Sequence, residues 1–276
     1  MEMDILEELD IAEDQTSFDF LLDETKDVEQ AESFDWVAQE TLVLISKHNG
    51  VVPSDFDLCG KKMFEWVSLA TSGCQQKIVG EISDENLLED VSKYADGYNF
   101  VAVFFSDTPL LKKETFLQIM DYFSKNRMNV MKLKRGYIFK AEYLKTAKIM
   151  MSGMVEDFGE EDFVVLDSAE KISFAFNILN KRILGYHKSN GVVLLGENTI
   201  FVDADVEIES GAIVYPNNTL KGQSYIGKNV ILESGNYIID TIVCDNAFVC
   251  QSYLENSKVE QNKIVGPFEK LINQKI

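Results

Sequence analysis

Val202, Ile208, Val214, Leu220, Ile226, Leu232, Ile238, Cys244 and Cys250 stand six residues apart, and each is apolar or cysteine. A helix repeats about every 3.6 residues and a simple strand every 2, so neither produces this spacing. A hexapeptide repeat does. It marks a parallel β-helix in which six residues form one side of a triangular coil. Three sides complete a coil, and each coil needs neighbours above and below to bury its core. The terminal coils present open strand edges.

Four residues after the anchors come Val206, Ala212, Asn218, Ser224, Val230, Asn236, Ile242 and Phe248. Most are small or β-branched, as a crowded inside corner requires. Turn formers such as Asp203, Glu209, Gly222 and Gly227 follow the anchors closely. Asn256 and Asn262 fall on the anchor frame, so the repeat loses phase there, and residues 256–276 are expected to form a partial coil and a cap.

Composition narrows the partners. The chain has 276 residues, 46 acidic and 26 basic, for a formal net charge of −20. Nucleic acid and anionic membranes both need clustered Lys and Arg, so neither is an expected partner. No apolar run approaches the roughly 20 residues of a helical membrane span. No basic stretch leading into an apolar one opens the chain, so no secretory signal is expected and a cytoplasmic location is. The four cysteines imply no disulfide framework. Cys244 and Cys250 read as small buried anchors.

Three segments follow. Residues 1–34 carry 13 acidic side chains against the single Lys26, interleaved with Ile5, Leu6, Leu9, Phe18, Phe20, Leu21 and Leu22. This reads as an acidic, flexible tail, either solvated or folding on a protein partner. Residues 35–185 alternate strand-like and helix-like stretches. Strands are predicted at 41–46, 100–105, 137–139 and 164–166, and helices at 61–70, 113–125, 141–150 and 169–184. That alternation predicts an α/β domain with a mostly parallel sheet, whose ligands bind at the carboxyl ends of the strands. Residues 186–276 form the β-helix.

Asp107 follows the strand 100–105 directly, in Ser106-Asp107-Thr108-Pro109-Leu110. A carboxylate there can hold Mg²⁺ for phosphoryl or nucleotidyl transfer. A turn or N-cap role for an Asp before Thr-Pro is the alternative.

Longer segments resemble one family. Ser168-Ala-Glu-Lys-Ile-Ser-Phe-Ala-Phe-Asn-Ile-Leu-Asn-Lys-Arg-Ile183, His187-Lys-Ser-Asn-Gly-Val192 and Thr199-Ile-Phe-Val-Asp-Ala-Asp-Val-Glu-Ile208 occur in that order. They resemble the linker helix, the "H-M-x-x-G-V" opening and the first coils of the bifunctional N-acetylglucosamine-1-phosphate uridylyltransferase and glucosamine-1-phosphate acetyltransferase family. Leu58-Cys-Gly-Lys-Lys-Met-Phe-Glu-Trp-Val67 is similar to the family's "G-K-P-M…V" helix start. Phe104-Phe-Ser-Asp-Thr-Pro-Leu110 is similar to its "G-D-x-P-L" metal motif. The resemblance runs over roughly residues 41–270 and is most specific over 168–240. It implies a nucleotidyltransferase-like (Rossmann-like) α/β domain followed by a short left-handed parallel β-helix, and assembly as a homotrimer through the β-helix. It also implies Asp107 as the magnesium aspartate, with Asp167 as a second ligand if the register slips by one.

The departures from the family are as informative. Its Gly-x-Gly-Thr-Arg phosphate loop is here Ser46-Lys-His-Asn-Gly-Val-Val-Pro53, leaving Lys47, His48, Gly50 and Lys61 as nucleotide- or phosphate-binding candidates. A long insertion carrying much of the sugar pocket is replaced by about ten residues before Gly136. The acetyltransferase histidine and coenzyme A contacts lie in coils beyond those matched, so no coenzyme A is expected. His187 reads as structural. The resulting expectation is a shortened, degenerate member: a nucleotide-sugar-binding, scaffold or regulatory subunit, or a partner of an active paralogue. A minimal Mg²⁺-dependent sugar-1-phosphate nucleotidyltransferase making a UDP-N-acetylglucosamine-type product is the alternative.

Overall fold

A computed structural model of the chain describes residues 40–83, 85–147 and 155–276. The acidic tail at 1–34 lies outside the described residues. The chain divides into two compact units. Of the described residues, one unit holds the β-helix with 59–61 and 176–276, and the other holds those within 40–58 and 62–175.

The α/β unit is built on a six-stranded sheet. Its strands are β1 (Thr41–Ser46), β2 (Gln75–Val79), β3 (Phe100–Phe105), β4 (Val130–Leu133), β5 (Gly136–Lys140) and β6 (Val155–Glu156). The spatial order is β2-β1-β3-β5-β4-β6. β1 runs parallel to both β2 and β3. β5 is antiparallel to β3 and to β4. The sheet is therefore mixed, where a mostly parallel one was expected. The cause is local. Only Lys134 and Arg135 separate β4 from β5, and so short a connection forces a hairpin rather than a crossover. Gly136 makes that turn possible: its φ is 147°, and a Cβ there would lie 2.8 Å from the Val103 carbonyl oxygen.

Period-two alternation sends side chains to both faces of the central strands. Val43, Ile45, Ala102 and Phe104 pack on one face with α1 (Met63–Ala70) and α3 (Lys113–Lys125), through Val67, Phe116, Ile119, Met120 and Phe123. Leu42, Leu44, Val101, Val103 and Phe105 pack on the other, with α2 (Leu87–Ser92) and α4 (Ala141–Thr146). With both faces covered, β1 is buried along its whole length, which explains its unbroken apolar run. β2 lies at the sheet edge, and its Gln75-Gln-Lys-Ile-Val79 sequence is correspondingly polar. The expected helix at 61–70 begins at Met63, because Lys61–Lys62 pairs as a short strand with Asp57–Leu58. The expected strand at 164–166 is a loop held by Leu166 N–H donating to the Asp107 carbonyl oxygen at 2.9 Å.

In the other unit, α5 (Ala169–Ser189) leads into three parallel sheets. The first face stacks the strands at 193–194, 213–214, 231–232, 248–249 and 264–265. The second stacks 201–202, 219–221, 237–239, 253–255 and 270–272, and the third 207–208, 225–226, 242–243 and 258–259. This is the β-helix that the hexapeptide spacing predicts. Inward positions such as Val214, Leu220, Ile226, Leu232 and Ile238 are fully buried.

The spacing then changes. Ladder partners 18 residues apart in the early coils give way to partners 17 and 16 apart beyond Ile238. The corner between Ile238 and Val243 is one residue shorter, so Val243 and Val249 point inward. Cys244 and Cys250 are not anchors; they are only partly buried on the outer side. The phase loss near Asn256 is also not the end of the repeat. Strands at 258–259, 264–265 and 270–272 extend all three sheets, and Lys275 bridges to Lys258.

Polar ladders fill two inside corners. Asn236 Nδ2 donates to Asn218 Oδ1 at 2.9 Å, to the Glu233 carbonyl at 2.6 Å and to the Val249 carbonyl at 3.2 Å. Its own Oδ1 accepts from Ser252 N–H at 2.9 Å. Along the next corner, Ser224, Thr241 and Ser257 each accept a backbone N–H from the coil above through a hydroxyl oxygen. A buried amide so placed closes groups that would otherwise lack partners.

Two stability predictions follow from this packing. Asn236→Leu strips partners from Asn218 and Ser252 at once, and urea unfolding should show a loss of about 2–4 kcal/mol. His187 is buried at the end of α5, its Nδ1 has no hydrogen-bond partner, and burial pushes its imidazole down to about 4. The folded state holds this ring neutral, while the unfolded chain protonates it below about 6.5, so its contribution is complete above that value and is lost as pH falls toward 4. Between pH 7 and pH 5 the wild type should lose about 2 kcal/mol more than His187→Phe. Equal losses in the two proteins would contradict the assignment.

Candidate functional site

The carboxyl ends of β1 and β3 bring the sequence-predicted residues of the α/β unit to one place. Ser106 N–H donates to the Ser46 carbonyl at 2.9 Å, continuing the pairing of the two strands by one residue. Thr108 Oγ1 donates to the Phe105 carbonyl at 2.9 Å and closes the turn. Asp107 is thereby set at the sheet end, only 3 % exposed.

A carboxylate buried to this degree needs a counter-charge. Arg135 supplies it from the tip of the β4–β5 hairpin. Its Nε donates to Asp107 Oδ1 at 3.1 Å and its Nη2 to Oδ2 at 2.8 Å. The guanidinium carbon also lies 3.9 Å from the centre of the Phe105 ring. A planar fork that pairs both carboxylate oxygens and stacks on an aromatic face is an arrangement that Lys cannot reproduce.

His48 completes the cluster. Its backbone N–H donates to Ser106 Oγ at 2.9 Å, fixing the loop after β1 against β3. Its Nδ1 lies 2.9 Å from Glu81 Oε1 and its Nε2 3.8 Å from Asp107 Oδ2. The imidazole thus bridges two carboxylates.

The remaining candidates are elsewhere. Lys47 places its Nζ 4.9 Å from the centre of the Phe64 ring. Gly50 adopts no left-handed backbone, and a Cβ there would meet only the His48 ring, at an ordinary 3.7 Å. Lys61 belongs to the β-helix unit, where its Nζ pairs with Asp205 Oδ1 at 2.7 Å. Asp167 pairs through Oδ2 with Lys171 Nζ at 2.8 Å, one turn along α5, with its side chain largely in solvent. Asp107 and Asp167 therefore each have a cation of their own.

This donor set does not fit a divalent metal. Mg²⁺ needs near-octahedral oxygen ligands, and both oxygens of Asp107 are taken up by a guanidinium. Among the described residues no group of three His, Cys, Asp or Glu side chains could hold a metal ion.

Arg135, Glu81 and Ser106 are the site residues that the sequence reading passes over. A signal for Arg135 exists in the sequence. A buried Asp at a strand end demands a cation, and Lys134-Arg135-Gly136 sits in the short segment that replaces the family's insertion.

No protein-family model matches the chain. Similarity to individual proteins is clear. The bifunctional protein GlmU of Streptococcus agalactiae serotype V is 34% identical over 131 residues, 48% of this chain and 27% of that protein. The bifunctional protein GlmU of Clostridium botulinum (strain Eklund 17B) is 34% identical over 127 residues, 46% of this chain and 28% of that protein. That of Clostridium beijerinckii is 35% identical over 108 residues, 39% of this chain and 24% of the relative. The chain thus spans about a quarter of the length of these relatives. Over about half of its own length the chain is a homologue of the bifunctional GlmU proteins, in agreement with the family that its motifs resemble.

Proposed function

We propose that this chain is a catalytically silent relative of the sugar nucleotidyltransferases, acting in the cytoplasm as a scaffold or regulatory subunit. In this reading it assembles through its β-helix as a homotrimer, and the acidic tail is the segment that meets a protein partner. The division into tail, α/β domain and β-helix then has a simple logic: a recruiting segment, a domain kept for its shape, and an assembly module.

One observation carries the reading. The carboxylate that the family resemblance assigns to magnesium is the one that Arg135 holds in a two-pronged ion pair. Metal-assisted nucleotidyl transfer needs that carboxylate free to bind the cation that neutralises phosphate oxygens. A guanidinium already there neutralises the aspartate and leaves it no ligand role. The loss of the glycine-rich arginine loop supports the same conclusion, because Lys47 and Gly50 present no phosphate cradle. Coenzyme A has no place in this reading.

Two measurements test it. Purified protein with UTP, N-acetylglucosamine 1-phosphate and Mg²⁺ should release no pyrophosphate above background. Turnover that disappears in Asp107→Asn would overturn the proposal in favour of a minimal nucleotidyltransferase. The ion pair should instead be a stability element. Arg135→Ala leaves a buried carboxylate without its partner and should cost about 3 kcal/mol in urea unfolding, and adding Asp107→Asn to it should recover part of that loss. Mg²⁺ at millimolar concentration should leave the wild-type midpoint unchanged, since a ligand that binds the folded state would raise it.

A further inference from the structure

We propose that the pocket beside the entry to β1 is the seat of this chain's own Trp36, which anchors the segment ahead of the α/β unit. The inference goes beyond the reading above and is independent of whether the chain is catalytic.

Glu40 is the residue at which the chain enters the described fold. Its carbonyl oxygen accepts from Asn99 N–H at 2.9 Å and from Phe100 N–H at 3.2 Å. Its Oε2 accepts from Asn99 Nδ2 as well. The Asn99 carbonyl in turn accepts from Ala141 N–H at 2.8 Å, tying the start of β3 to the start of α4. Asn99, Phe100 and Ala141 line one cavity of about 390 Å³. Tyr98, Lys140, Glu142 and Lys145 complete its wall. The chain therefore enters the fold at the rim of this cavity.

The lining suits an indole. Tyr98 and Phe100 offer ring surface, and the buried Ala141 adds little bulk. Lys140 and Lys145 bring ammonium groups, which are attracted most strongly to the face of a tryptophan. Lys140 Nζ lies 3.2 Å from Glu142 Oε2, and Lys145 Nζ lies 2.7 Å from Asp96 Oδ1. Both are exposed pairs that hold their cations weakly, so a ring can engage them alongside. The carboxylates of Glu40, Asp96 and Glu142 stand at or beside the pocket and disfavour an acidic occupant. An uncharged aromatic group meets no such repulsion.

Sequence distance selects the occupant. Trp36 is four residues ahead of Glu40, a reach of up to about 14 Å in extended chain. A group tethered so closely meets the pocket at high effective concentration, and that advantage falls as the connecting segment lengthens. Phe20 and Phe18 are 20 and 22 residues from Glu40 and stand among carboxylates. An extended segment would turn Phe34 and Trp36 to one side and Asp35 to the other. Tryptophan also has the most to gain, as a large apolar ring that folded proteins bury for most of its surface.

Fluorescence of the full-length chain tests this. The chain has two tryptophans, Trp36 and Trp66. Trp66 is buried, with its Nε1 donating to the Leu58 carbonyl at 2.9 Å. Trp66→Phe leaves Trp36 as the reporter, and the difference in emission between wild type and Trp36→Phe isolates the same indole without altering the core. Trp36 is expected to emit to the blue of the free peptide of residues 30–40, and acrylamide should quench it about fivefold less, since a seated ring is shielded from solvent. Tyr98→Ala combined with Lys145→Glu should raise that quenching about threefold by removing ring contact and cation together. Lys221→Glu, on the β-helix, should leave it unchanged, and far-ultraviolet circular dichroism checks that each variant is folded. Quenching in wild type equal to that of the peptide would overturn the docking and leave the pocket to another occupant. Shielding that survives the Tyr98 and Lys145 changes would overturn the choice of pocket. Shielding lost on dilution would assign the pocket to Trp36 of a second copy and overturn docking within one chain.

Discussion

A carboxylate taken out of water must be met by a positive charge, and the α/β unit is organised around one such demand. Asp107 sits at the end of a strand buried on both sides. The hydration it loses is replaced by the fork of Arg135 and, at longer range, by the His48 ring. The hairpin that delivers Arg135 exists because only two residues join its strands. That shortness also reverses strand direction and makes the sheet mixed. Ion pair, hairpin and sheet topology are thus one solution to one electrostatic problem. Gly136 is its steric condition, since the turn runs against the carbonyl of the neighbouring strand.

The β-helix meets a different constraint, because each coil is too thin to own a core. Aliphatic columns stack through its interior, while Asn218, Asn236 and Ser252 pass hydrogen bonds from coil to coil at the corner. The apolar columns supply burial without direction, and the polar ladders supply register. A coil displaced by one residue along its neighbour would break every amide contact at that corner.

Much of the fold was legible because its strongest signals are periodic. The buried-strand pattern at 41–46, the apolar run at 100–105 and the amphipathic repeat of 113–125 predict elements that the structure matches end for end. The elements passed over have weak patterns for physical reasons. Gln75–Val79 is an edge strand with polar side chains. Val130–Leu133 belongs to a hairpin whose Lys-Arg turn lacks the usual Asn-Gly or Asp-Gly signature. The position of Asp107 could be read from its strand, but its partner could not. Arg135 is 28 residues away, and only the hairpin fold brings the two together. The cysteine anchors were misread because a fixed period of six was carried across a corner that has lost a residue.

That lost residue says something about how such a prism can evolve. Asn217, Asn229, Asp240, Asn246, Asn256, Asn262 and Asn273 all adopt left-handed backbone angles, a conformation that Asn and Asp tolerate better than most residues. Every coil therefore carries its own pivots. A bend built on such a pivot can lose a residue beside it without losing the direction of the next strand. Deletions here shorten a side and leave the stack intact, so lineages of this fold can drift in length while keeping their cross-section. Aligned by a strict hexapeptide frame, two descendants would look unrelated beyond the first deletion. Aligned on their pivots, they would superpose.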